Sequence, residues 1–174
     1  MLKLIRTLAI TGAAILTMAI VSVPAQAGTT TSTFQVTATV VSSCIINSVG
    51  TLGFGSYDPN AGAALTGTST INVNCTKNAP YTIALDYGVH GGTAANRMMQ
   101  DAGTDTLNYN LYTDSGYTKV WNSTCGGANN CDSGTGAGPG VGNQQTYTVY
   151  GQLPAGQNAP AGSYADTITV TVNF

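Results

Sequence analysis

Side chains able to do chemistry are few in this 174-residue sequence: four Cys, one His, seven Asp without a single Glu, and five Lys plus Arg. Cys44, Cys75, Cys125 and Cys131 could hold zinc, but no two stand in a Cys-x-x-Cys spacing and His90 is the only imidazole to complete a site. Nucleophilic catalysis needs a base beside its nucleophile. His90 lies in Tyr87-Gly88-Val89-His90-Gly91-Gly92, a turn context in which an exposed imidazole is the default. Asp101 and Asp105 could form a carboxylate pair for glycoside chemistry or part of a calcium loop, yet Gln100-Asp101-Ala102-Gly103-Thr104-Asp105 reads more simply as a polar turn. Met98-Met99 could offer two thioethers, but neighbours in a strand point to opposite faces, so one of them fills the core. The run GGANNCDSGTGAGPGVG at residues 126–142 has no Gly-Lys-Ser/Thr and opens no helix that could cradle a phosphate, so it reads as a long mobile surface loop. No enzyme constellation, cofactor or metal is expected.

The charge balance narrows the classes further. Only 7% of residues are charged, against the quarter or so of an ordinary cytosolic domain. Residues 1–27 carry Lys3 and Arg6, an apolar stretch from Leu8 to Val23 and the small-residue run Ala25-Gln26-Ala27, which predicts a secretory signal peptide cleaved after Ala27. The stretch is too short for a span of roughly 20 residues, and no later run replaces it, so no membrane span is expected in the mature chain. Lys77, Arg97 and Lys119 are the basic residues left, scattered singly, so no stripe exists to bind nucleic acid. Four Cys in an exported chain predict disulfides. Three pairings are formally possible; Cys44 with Cys75 and Cys125 with Cys131 is preferred, because the first ties two strand-like segments and the second brackets a Gly-rich turn.

The elements that carry these residues are strands. Apolar residues alternate at period two in Phe34-Val36-Ala38-Val40, Ile71-Val73-Cys75, Tyr81-Ile83-Leu85, Leu107-Tyr109-Leu111, Tyr147-Val149 and Ile168-Val170-Val172-Phe174, with Thr, Asn, Gln or Ser between. Turn signals such as Asp58-Pro59-Asn60 and Lys77-Asn78-Ala79-Pro80 separate them. No amphipathic helix is found. The expected fold class is all-β, an antiparallel sandwich and most economically an immunoglobulin-like one.

The two ends of the chain are the informative parts. Residues 33–41 read as a strand with one apolar face, about 30 Å long at ~3.3 Å per residue. Residues 164–174 read as a strong strand running to the last residue, with nothing after it to cover its flank, and an unpaired flank of this kind polymerises unless filled. Residues 33–44, the run Asn96-Arg97-Met98-Met99 through Leu107-Asn108-Tyr109-Asn110-Leu111-Tyr112-Thr113-Asp114 to Val120-Trp121, then Tyr147-Thr148-Val149-Tyr150-Gly151 and residues 162–174 together resemble the spore coat protein U domain, the subunit family of archaic chaperone-usher pili. Cys125, Cys131 and the Gly-rich run are an elaboration outside that pattern.

The resemblance implies an incomplete immunoglobulin-like sandwich, residues 44–174, completed by the N-terminal extension, residues 28–43, of a neighbouring subunit. Phe34, Val36, Ala38 and Val40 would be the donor side chains, and Ile168, Val170, Val172 and Phe174 the C-terminal strand beside the acceptor groove. It also implies a periplasmic chaperone and an outer-membrane usher as partners, passage through the periplasm to a cell-surface pilus, and a role in adhesion and biofilm formation. Two other readings stand beside it: a secreted coat or matrix protein of the same fold, and a carbohydrate-binding module using exposed Tyr or Trp121.

Overall fold

Alternation of apolar and polar residues builds eight strands in the computed structural model, which describes residues 24–126, 130–140 and 143–174. They are β1 (Cys44–Val49), β2 (Leu65–Cys75), β3 (Pro80–Leu85), β4 (Arg97–Gln100), β5 (Thr106–Tyr112), β6 (Asp132–Thr135), β7 (Gln145–Leu153) and β8 (Val170–Asn173). A five-stranded sheet runs β1-β2-β7-β5-β4 and a three-stranded sheet runs β6-β3-β8. Every ladder is antiparallel. The result is an all-β immunoglobulin-like sandwich. The chain divides into two units, Met1–Ala38 and Thr39–Phe174, and the sandwich lies in the second.

The inward residues are those the period-two pattern selects. Ile71 and Val73 of β2, Ile83 and Leu85 of β3, Leu107 and Leu111 of β5 and Val149 of β7 form one buried cluster around Trp121. β1 keeps its apolar residues on the same side through a bulge. Ile46 pairs with Val73 and Ser48 with Asn72, so the extra Asn47 turns Val49, not Ser48, toward the side of Ile71. The released Asn47 amide donates to Gln144 Oε1 at 2.7 Å. Cys44 lies directly opposite Cys75 and is disulfide-bonded to it across 31 residues of chain. Closing such a loop stabilises the fold by about 3–4 kcal/mol in the chain-entropy account. The second bond joins Cys125 to Cys131.

Arg97, read from the sequence as one of three scattered cations, is fully buried. Its guanidinium donates through Nε to Asp86 O (2.8 Å), through Nη1 to Asn110 Oδ1 (2.6 Å), and through Nη2 to Trp121 O (2.6 Å) and Leu85 O (3.2 Å). It stacks over the Tyr87 ring at 5.3 Å. Burial pulls its pKa below the ordinary guanidinium value, while Asp86 and Asp166 act the other way; an arginine keeps its proton regardless. Trp121 completes the cluster by donating Nε1–H to Ile83 O at 2.7 Å.

Three expectations about the elements differ from the structure. Residues 24–43 carry no strand, because a strand exists only with a ladder partner and this segment has none in the single chain. The C-terminal strand is shorter than expected: only Val170–Asn173 pairs with β3, while Ala165 makes an isolated bridge to Gln100. The Gly-rich run is not wholly loop, since β6 lies inside it and pairs with β3 from Pro80↔Thr135 to Ile83↔Asp132.

Replacing Arg97 with Met should orphan three buried carbonyls together with Asn110 and destabilise the protein by about 3 kcal/mol or more. Arg97→Lys should recover only part, since an ammonium lacks the planar fork. Urea unfolding followed by the fluorescence of the single Trp checks both. A pH effect follows from Asp86: burial raises its carboxyl pKa, but hydrogen bonds from Thr169 and the Gly88 N–H, with the charge of Arg97, outweigh this and hold it below the usual carboxylate value. The stabilisation is therefore complete above the unfolded pKa and lost as pH falls through the folded one. Asp86→Asn should flatten the acid side of a stability-against-pH curve, and an unchanged acid slope would contradict the assignment.

Candidate functional site

The candidate site is an open apolar groove along the inner side of the sandwich, built from segments that leave the sheets. After β1 the ladder ends with Gly50 N–H donating to Thr70 O at 2.8 Å. The chain then runs through residues 51–57 without strand pairing. Leu52 and Phe54 alternate along it and turn inward. Their seat is made by Gly67 and Gly151, which face each other across β2 and β7. A Cβ on Gly67 would lie 2.8 Å from the Gly53 carbonyl oxygen, and one on Gly151 would lie 2.8 Å from Leu52 Cδ2 and 3.0 Å from Phe54 Cζ, so the two glycines let this segment lie close against β2 and β7. Phe54 also meets Tyr109 edge to face, with centroids 6.0 Å apart.

The opposite wall is residues 164–170. Ala165 exchanges two backbone hydrogen bonds with Gln100, at 2.9 and 3.0 Å. The Asp166 carboxylate accepts from Tyr109 OH (2.6 Å), Val89 N–H (3.0 Å) and Thr167 N–H (2.8 Å). Burial, and then this bond to Asp166, raise the Tyr109 pKa far above its ordinary value, so its hydroxyl stays a donor. Thr169 exchanges hydrogen bonds with Asp86 at 3.1 and 2.9 Å. From Val170 onward β8 pairs with β3 alone, and its other flank has no strand among the described residues.

Between these walls lies a space of about 490 Å³, floored by Ile71, Leu111 and Val149 and flanked by Leu52, Ile168 and Val170. A void that holds one water needs only about 10–15 Å³, so this is no packing defect. One polar atom marks the floor: Ser69 Oγ is buried without a hydrogen-bond partner. The lining of this space is mostly apolar. Its polar lining includes Ser69, Tyr109, Tyr164 and Asp166, of which Tyr109 and Asp166 are hydrogen-bonded to each other; among the described residues no group of three His, Cys, Asp or Glu could hold a metal ion.

The residues singled out from the sequence fall in different places. Phe34, Val36 and Val40 are 88%, 81% and 82% exposed, and Ala38 is exposed too. Ile168 and Val170 line the groove. Val172 is half-buried and pairs with Ile83, whereas Phe174 is 60% exposed in a shallow depression with Pro80 and Thr82. His90 is half-buried rather than exposed, with Nε2 4.0 Å from Asp166 Oδ1. Asp101 closes a local turn by accepting the N–H groups of Gly103 and Asp105. Trp121, which a carbohydrate module would need at its surface, is wholly in the core. Leu52 and Phe54 went unread, although their period-two spacing was a usable signal. Met99, Tyr109 and Tyr164 line the groove only through their tertiary placement.

The chain is similar to known proteins to different degrees. Protein U of Myxococcus xanthus is 39% identical over 167 residues, which cover 87% of this chain and 88% of that protein. Among solved structures, a chaperone–tip adhesion subunit pre-assembly complex from the archaic chaperone-usher Csu pili of Acinetobacter baumannii is 24% identical with a TM-score of 0.48 over 78% of this chain. A chaperone–tip adhesin complex of CFA/I fimbriae biogenesis is 14% identical with a TM-score of 0.40 over 80%. The chain spans 40% and 39% of the length of those two solved chains. The Spore Coat Protein U domain matches residues 30–171. With that match and its 39% identity to Protein U, the chain belongs to the spore coat protein U domain family.

Proposed function

We propose that the exported chain is a structural subunit of a surface pilus, assembled when the N-terminal extension of one subunit, residues 28–43, enters the groove of the next. One coincidence carries this reading: an apolar groove beside an unpaired strand flank, and in the same chain an unpaired segment whose Phe34, Val36 and Val40 are left exposed. Two complementary surfaces on one molecule make head-to-tail contacts that need not close. Strand addition supplies main-chain hydrogen bonds for affinity and alternate side chains for register. Phe34, Val36, Ala38 and Val40 face the groove, with Gln35, Thr37 and Thr39 left in solvent.

The energetics support insertion. Burying Phe34, Val36 and Val40 contributes about 1.5–3 kcal/mol each. Together these are comparable with a domain's net stability of about 5–15 kcal/mol. A subunit without its donor is therefore marginal, which is the role for a periplasmic chaperone before an outer-membrane usher delivers it. Ile168 and Val170 meet the inserted side chains, Val172 continues β8, and Phe174 is the residue just after it. Export through a signal peptide, display on the cell surface, adhesion and biofilm formation belong to this reading. A second reading, a secreted coat or matrix protein of the same fold, is favoured by the family's own description. A gene neighbourhood with a chaperone and an usher separates the two.

The test is a thermal melt of the chain lacking residues 28–41, with and without a peptide of residues 29–41. Peptide at a hundred times its Kd adds about 2.7 kcal/mol, a rise of roughly 10 °C. A peptide carrying Val36→Asp or Phe34→Asp should lose the effect, since a carboxylate would enter an apolar groove unpaired. Thr37→Asp should keep it, because period-two geometry turns that side chain outward. Equal behaviour of inward and outward substitutions would sink the mechanism.

A further inference from the structure

The three-stranded sheet has two flanks, and the fold treats them oppositely. In β3, backbone groups of alternate residues point to opposite sides. Asp86 N–H donates to Thr169 O at 3.1 Å, which turns the even-numbered positions toward β8. Leu85 N–H donates to Asn122 O at 3.1 Å, which turns the odd-numbered positions the other way. Each odd position is answered from a separate source. Leu85 O takes Arg97 Nη2 (3.2 Å) and Ile83 O takes Trp121 Nε1 (2.7 Å). Ile83 and Tyr81 stand opposite Asp132 and Gly134 of β6, and Ala79 O takes the Gly136 N–H at 2.8 Å.

β6 does not form on its own propensity. Asp-Ser-Gly-Thr holds one β-branched residue and no apolar one. It is held from both ends. Before it stand the Cys125–Cys131 bridge and the Asn122 N–H donating to Asn130 O at 2.8 Å. After it, Gly136 O accepts from Asn78 N–H (2.8 Å) and Gly138 N–H donates to Cys75 O (3.1 Å). The strand it covers is of the opposite kind, with Tyr81, Ile83, Ala84 and Leu85 all buried. An apolar strand with a bare flank pairs with other chains.

We infer that Trp121, Asn122 and β6, clamped by the Cys125–Cys131 bridge, form an edge guard that closes the β3 flank, so that strand addition to the β3–β8 pair takes place at β8 and not at β3. The inference rests on the strand-addition reading and adds a direction to it: of the two flanks of the β3–β8 pair, only that of β8 is left without a strand among the described residues. It also gives the second disulfide a role that its short span would not supply through chain entropy.

The test uses the mature chain, with and without Cys125→Ser/Cys131→Ser, each in the native form and with Val36→Asp to disable the extension. Amide exchange at Tyr81 and Ile83 should rise about tenfold or more when the bridge is removed, while Thr82 and Ala84, on the β8 side, stay within about twofold. In sedimentation, the Val36→Asp chain should remain monomeric with the bridge and associate without it. Unchanged protection at Tyr81 and Ile83, or a bridge-free Val36→Asp chain that stays monomeric, overturns the guard. If the bridge-free chain fails to fold, Gly134→Val serves instead: a Cβ there collides with the Tyr147 and Tyr81 hydroxyls, lifting β6 with both bridges intact. The same outcomes then apply. Polymerisation of the Val36→Asp chain with its bridge intact would instead sink the role of the extension, leaving the exchange comparison to decide the guard.

Discussion

The buried guanidinium of Arg97 is the constraint around which the sandwich is organised. It projects from β4 of the five-stranded sheet and ends on the carbonyls of Leu85 and Asp86, at the end of β3 in the other sheet, and on that of Trp121. A full positive charge leaves water only at high cost unless it is hydrogen-bonded, and this one makes four hydrogen bonds, so the sheets must meet at one separation and one register for the network to exist. Asn110 is fixed in turn, its amide nitrogen donating to the carbonyls of Ala94 and Ala95 while its oxygen faces the arginine. A two-layer fold clamped in this way can tolerate an unfilled space elsewhere without the layers sliding.

That clamp explains the division between rigid body and open groove. Asp86 takes part in both, since its carbonyl accepts from Arg97 and its carboxylate holds Thr169 in the groove wall. The wall segment thus borrows its position from the clamp rather than from a ladder of its own. The opposite wall borrows from packing: Leu52 and Phe54 sit in a glycine-lined seat, not in a sheet.

Much of the fold was legible because burial on one face of a sheet writes itself as alternation. β2, β3, β5 and β7 could be read from Ile71-Val73-Cys75, Tyr81-Ile83-Leu85, Leu107-Tyr109-Leu111 and Tyr147-Val149, and the disulfide pairing from the strand-like settings of Cys44 and Cys75. What stayed hidden depends on distant partners. A lone arginine between Asn96 and Met98-Met99 carries no local sign that the carbonyls of Leu85, Asp86 and Trp121 will surround it. β6 has the composition of a loop and becomes a strand only because its ends are tied. Of the groove, Ile168 and Val170 could be read, whereas Met99, Tyr109 and Tyr164 join it from separate elements.

The position of the first disulfide has a mechanical consequence. Cys44 is the first residue of β1, and its bond to Cys75 crosses directly to the last residue of β2. Tension applied to the chain ahead of Cys44 therefore meets a covalent link before any hydrogen bond of β1. The load divides between the two strands at that point, and β1 cannot be peeled away from its leading end. Unfolding under force would have to begin elsewhere, in parts of the sandwich that no cross-link ties together.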